Sequence, residues 1–166
     1  VFDIGHQSVG YEDIPTSLQK LVDNGVQIVK LQEAASMYIP DVTQKTVDAL
    51  QSFAKTIYLS QTCQKKGGET TWFLNLEDAF EDWYKNPGPR EWRTHFHVPV
   101  FLDDLGAFGT TRFALEQALA FHKKTPLSAH LEIETYTWDV LPEHLKTGDI
   151  VEYVTREIDW VRGQLA

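Results

Sequence analysis

Apolar positions along this chain alternate between two rhythms, a spacing of two and a spacing of three to four, and the changes of rhythm mark its elements. Residues 1–5 read as a short strand, with Phe2 and Ile4 opposite Asp3. Ile14, Leu18, Leu21 and Val22 share one side of a helix over 14–24, and Gly25 follows at the stop position. Residues 26–32 predict a second strand, and a loop containing Pro40 leads to a helix over 42–54 striped by Val47, Leu50 and Phe53. An extended segment at 56–64, a turn at 65–69 and residues 70–73 suit a hairpin. Asn75 can cap a helix over 76–84, which Asn86-Pro87-Gly88-Pro89 breaks. A strand from Arg93, a helix over 111–123 and a last strand over 129–135 follow. The closing helix, 149–164, has the clearest stripe: Ile150, Val154, Ile158, Val161 and Leu165.

Alternating strands and helices predict a parallel sheet of β-α units. A doubly wound sheet would bury both its faces, yet Asp3, Arg93, His95, His97, Glu132 and Glu134 all fall opposite apolar rows. A barrel instead displays such residues at its C-terminal mouth. A (β/α)8 barrel needs about 250 residues, so a chain of 166 fits its second half. The expectation is a single domain over 1–166, the C-terminal half of a (β/α)8 TIM barrel. Because the first residue is Val1, inside a strand, a longer protein with a missing N-terminal half is expected, or else self-association of half barrels.

Composition narrows the class. The chain is 42% hydrophobic and 12% aromatic, enough to fold. A net charge of −9 repels phosphate backbones and disfavours nucleic acid as a partner. No apolar run approaches the roughly 20 residues that span a bilayer. The single cysteine, Cys63, precludes an internal disulfide and suits a reducing, cytoplasmic setting. As a thiol without a histidine near it in sequence, it reads as a packing residue.

Arg93, His95 and His97 point to one side of their strand, Thr94, Phe96 and Val98 to the other. Two imidazoles two residues apart can reach one metal ion. Asp3 with His6, and Glu132 with Glu134, add donors from the first and last strands, so a divalent ion (Zn, Mn or Mg) held by Asp3, His95, His97 and Glu134 is the expected centre. Such an ion polarises a carbonyl or hydroxyl while a carboxylate moves a proton, with Glu134 and His6 in the catalytic roles. Lys30, Arg93 and Glu132 are the expected substrate-binding residues, and Gln32 shares their strand ends. The same groups also suit internal salt bridges, with Arg93 pairing Glu132 or Glu134. Asp103 and Asp104 suit helix capping. Tyr136 and Trp138 suit an apolar wall.

Asp3-Ile4-Gly5-His6 resembles the Asp-x-x-His strand of the xylose-isomerase-like superfamily of sugar isomerases, epimerases and endonuclease-IV-type enzymes. Glu134-Thr135 resembles the end of that barrel's final strand. The segments 95–106 and 130–142 are similar to signature segments of the Ebo-type metabolite traffic proteins, bacterial proteins linked to secondary metabolism. The resemblance implies metal binding by Asp3 and Glu134, and metal or substrate binding by His6. The superfamily's epimerases carry a metal histidine on the strand after Asp-x-x-His; here that strand reads Val29-Lys30-Leu31-Gln32, and His95 or His97 would substitute.

The function expected from residues and resemblance together is a metal-dependent, sugar phosphate isomerase/epimerase-like protein acting on a small polyhydroxylated metabolite. The alternative is a metabolite-binding or trafficking protein that keeps the pocket without the chemistry. A nuclease-like phosphoesterase is disfavoured by the acidic charge and the missing histidine.

Overall fold

The computed structural model describes residues 1–54, 58–134, 138, 141, 146 and 148–166. In chain order the elements are β1 (Phe2–Asp3), α1 (Ile4–Val9), α2 (Ile14–Asp23), β2 (Leu31–Glu33), β3 (Ala35–Ile39), α3 (Gln44–Ala54), β4 (Thr62–Lys66), β5 (Glu69–Phe73), α4 (Leu76–Lys85), β6 (Glu91–Val98), β7 (Gly109–Thr110), α5 (Arg112–Lys124), β8 (Leu131–Ile133) and α6 (Ile150–Leu165). Residues 56–57 of the expected extended segment, Thr135 and Tyr136 lie outside the described residues.

The strands form two sheets, and this overturns the half-barrel expectation. β1, β2 and β8 make a three-stranded parallel sheet in the order β1-β2-β8. A separate five-stranded sheet, ordered β5-β4-β6-β3-β7, is antiparallel throughout, and the His95/His97 strand β6 sits at its centre. The physical reason is β3. Ala35, Met37 and Ile39 alternate with Ser36 and Tyr38 where a loop was expected, and the chain crosses at Ala34 from the parallel sheet into the antiparallel one. β3 then pairs with β6 from Ala35↔Val98 to Ile39↔Trp92, and the β4–β5 hairpin adds to the other side of β6. The charges taken as a sign of a barrel mouth are instead accommodated locally: Lys30 pairs Glu132, and Arg93 packs among aromatic rings.

Local signals explain the elements. Asp3 ends β1 and caps α1, its Oδ1 accepting the His6 N–H at 3.0 Å. Asp13 caps α2 through the Thr16 N–H at 2.9 Å. Asp78 Oδ2 accepts the Asn75 N–H at the head of α4. Asp149 Oδ1 accepts from Val151 and Glu152 at the start of α6. Asp103 pairs with Arg112 at 3.3 Å and Asp104 accepts the Gly106 N–H, so both serve the turn before α5.

The core lies between the antiparallel sheet and its helices. Phe53 meets Phe96 and Phe108 edge-on, at 5.2 and 5.6 Å between centroids, and Trp92 is fully buried with its N–H donated to Gln64. Helix α6 is rotated from its expected setting. It buries Tyr153, Glu157 and Val161, while Ile150, Val151 and Ile158 of its apolar side remain exposed.

Candidate functional site

One side of the parallel sheet carries Asp3, Gln32 and Glu132, because Asp3 pairs with Gln32 and Gln32 with Glu132 in the register, and side chains in register share a face. Lys30 and Glu134 extend this polar row. Lys30 Nζ lies 2.8 Å from Glu132 Oε1, and the Gln32 amide donates to Glu134 Oε2.

Three histidines meet the end of this row. The cap at Asp3 starts a helix at once, so His6 lies on the first turn of α1 instead of in a loop. Gly5 allows the approach: a Cβ there would stand 3.0 Å from the Ala34 Cβ and 3.3 Å from Asp3 Oδ1. The His6 ring stacks on His95 with centroids 3.8 Å apart and planes 16° from parallel. His95 and His97 project from β6 to one side, with their Nε2 atoms 3.2 Å apart. His97 Nδ1 lies 3.0 Å from the main-chain oxygen of Glu134. That carbonyl can only accept, so the His97 Nδ1–H donates to it, its Nε2 accepts, and the His95 Nε2–H is the donor between the rings.

Both inner imidazoles are neutral at physiological pH. Burial, reinforced by His97 and His6, pushes His95 down to about 3. Burial also lowers His97, opposed by the Glu134 carboxylate, the hydrogen bond to its carbonyl, and Asp3. His6 is the imidazole that water reaches: its side chain is 49% exposed, with Nε2 3.9 Å from Asp3 Oδ2.

The structure thus gathers Asp3, His6, His95, His97 and Glu134, but their donor atoms are turned toward one another. Asp3 Oδ1 takes the His6 main-chain N–H. Glu134 Oε2 is 3.7 Å from His97 Nδ1, on the opposite side of the ring from the Nε2 that faces His95. Among the described residues no group of three His, Cys, Asp or Glu converges to hold a metal ion. Two imidazole nitrogens face one another, which is a polar pair short of the donors that a divalent ion takes.

Arg93 stands apart from the histidines. Its guanidinium donates to the Ser8 carbonyl at 2.7 Å and lies 4.0 Å over the Tyr11 ring, with Tyr38 and Phe113 at 5.3 and 5.2 Å. Tyr11, whose ring lies under Arg93, has a positive φ of 60°. Cys63 is buried beside this group, and burial pushes its thiol up to about 11, away from nucleophilic use. Trp138 packs on Tyr153, ring centroids 4.8 Å apart.

Sequence reasoning missed Glu33. It lies on the other face of β2 from Gln32, fully buried, and neither carboxylate oxygen has a hydrogen-bond partner among the described residues. The signal was its place beside Gln32, since alternation sends adjacent side chains to opposite faces. Comparisons with protein-family models, with curated proteins and with solved structures returned no match, so the chemistry open to this site follows from its own donors and acceptors.

Proposed function

We propose that the polar row binds a small polyhydroxylated or carbonyl-bearing metabolite and moves a proton on it, the chemistry of isomerisation or epimerisation. The observation that carries this is the string of imidazoles: His6 open to water, His95 stacked on it, and His97 fixed by the Glu134 carbonyl. The single N–H groups of neutral His97 and His95 are given to the Glu134 carbonyl and to His97 Nε2, which suits this pair to holding the geometry of the site. His6 and the Glu134 carboxylate are the groups placed to carry a proton, His6 toward solvent and Glu134 inward. The resemblance of segments 95–106 and 130–142 to metabolite traffic proteins supports a small-metabolite ligand.

A second reading, binding without turnover, is favoured by one observation. The Lys30–Glu132 and Gln32–Glu134 pairs engage the carboxylates that a proton transfer would draw on. Solvent deuterium exchange separates the two. A panel of aldoses, ketoses and their phosphates is incubated with the protein in heavy water and followed by NMR. Deuterium entering beside a carbonyl, lost in His6→Ala, supports proton transfer. Saturable binding without exchange supports the second reading. Neither binding nor exchange across the panel rejects both.

A further inference from the structure

A cavity lies against the edge strand β8 on the Glu33 side of the parallel sheet, and it shares only Glu132 with the polar row. It lies between β8 and α6, with a volume of 490 Å³, within the roughly 300–1,000 Å³ of ligand sites. Leu131, Ile133, Val154, Ile158, Val161 and Leu165 make its walls apolar. The rotation of α6 leaves it open, because the side of the helix that would have closed over β8 stays partly exposed.

Three polar residues also line it: Glu33, Glu132 and Arg162. The Glu132 carboxylate is engaged by Lys30. Arg162 is exposed, at the rim. Glu33 is different, with 0% exposure and no hydrogen-bond partner for either oxygen among the described residues. A buried carboxylate in such a setting is destabilising unless something pairs with it. Burial pushes it up to about 7, with no cation among the described residues opposing the shift. The missing partner is a donor, best a cation, that brings apolar surface with it.

We propose that this cavity is a binding site for a small amphipathic amine, whose ammonium pairs with Glu33 and whose hydrocarbon part fills the space between Ile133, Val154, Ile158 and Val161. An anion is repelled by Glu33, and a purely apolar molecule leaves its oxygens without partners. The amine answers both the charge and the walls.

The test uses 3-methylbutylamine and its neutral counterpart 3-methylbutan-1-ol, titrated into the full chain and followed by methyl NMR. The expected result is saturable shifts confined to methyl groups of the cavity walls, with the amine binding at least about tenfold more tightly than the alcohol. Glu33→Gln keeps the shape and removes the charge, and is expected to cut amine affinity at least about tenfold. Ile158→Trp, at the half-exposed edge, fills the cavity and weakens both probes. Absence of saturable shifts, equal affinity for amine and alcohol, or unchanged amine affinity in Glu33→Gln would each overturn the proposal.

Discussion

Gln32 and Glu33 are neighbours in β2 that face opposite sides of the parallel sheet. Gln32 donates to Glu134 on the polar side, while the Glu33 carboxyl is buried without a hydrogen-bond partner among the described residues. This sets a test of stability against pH. The Glu33 carboxyl is raised from 4.5 to about 7, so the folded chain holds a proton that the unfolded chain releases. Its stabilising contribution is complete below about 4.5 and is lost as pH rises through 7, by roughly 3 kcal/mol in all. Glu33→Gln removes that loss. Urea denaturation across this range should show the variant's stability changing with pH more positively than the parent's, by about 1.4 kcal/mol per pH unit. Parallel curves would mean that Glu33 is ionised at no cost.

The histidine pair predicts the reverse sign. His95 is lowered from 6.5 to about 3, so its contribution is complete above 6.5 and lost as pH falls toward 3. From about 4.5 to 6.5 it opposes Glu33 almost proton for proton, while His97 and His122, both lowered by burial, add contributions of the same sign as His95. Imidazole NMR should show His95 neutral down to about pH 4. An ordinary titration near neutrality would contradict its burial.

His97→Ala strips the Glu134 carbonyl of its donor and the His95 N–H of its acceptor. The expected loss is about 2–4 kcal/mol, combining two broken buried hydrogen bonds with a cavity. His6→Ala, on a half-exposed ring, should lose less than about 1 kcal/mol. Chemical denaturation of the two variants decides this, and equal losses would remove the distinction between an inner pair and an outer ring.

Gly5→Ala tests the contact behind the site. Alanine in a helix usually gains up to about 1 kcal/mol over glycine. Here the new Cβ would meet the Ala34 Cβ at 3.0 Å, and a net loss of about 1–2 kcal/mol is expected. Ala34→Gly in the same chain should recover part of it. Additive losses in the double variant would show that the two residues do not touch.

Cys63 should resist a thiol reagent at about pH 8 in the folded chain and react fully once denatured, since its thiol is buried and raised to about 11. Rapid labelling of the native protein would place it at the surface.

Much of the helical structure was legible from periodicity and caps. The expected helices over 14–24, 42–54, 76–84, 111–123 and 149–164 lie within a residue or two of α2, α3, α4, α5 and α6. The sharing of one face by His95 and His97, and of another by Asp3 and Glu132, followed from alternation alone. Sheet direction did not. Alternating strands and helices favour parallel pairing only if no strand is overlooked, and β3 is short and opens on the small residues Ala35 and Ser36. The setting of α6 was hidden too. Tyr153 and Glu157 are drawn inward by Trp138 and by the Val100 N–H, contacts remote in sequence that turn the helix off its apolar stripe.

The pairing of Leu31 with Leu131 joins segments far apart in the chain, and loop-closure entropy favours nearer contacts first. The β4–β5 hairpin closes over a short turn and can form early, whereas β8 must find β2 across most of the chain. The carbonyl that fixes His97 arrives only with that last strand. A partly folded chain that holds its hairpin but not β8 therefore lacks the carbonyl that orders His97.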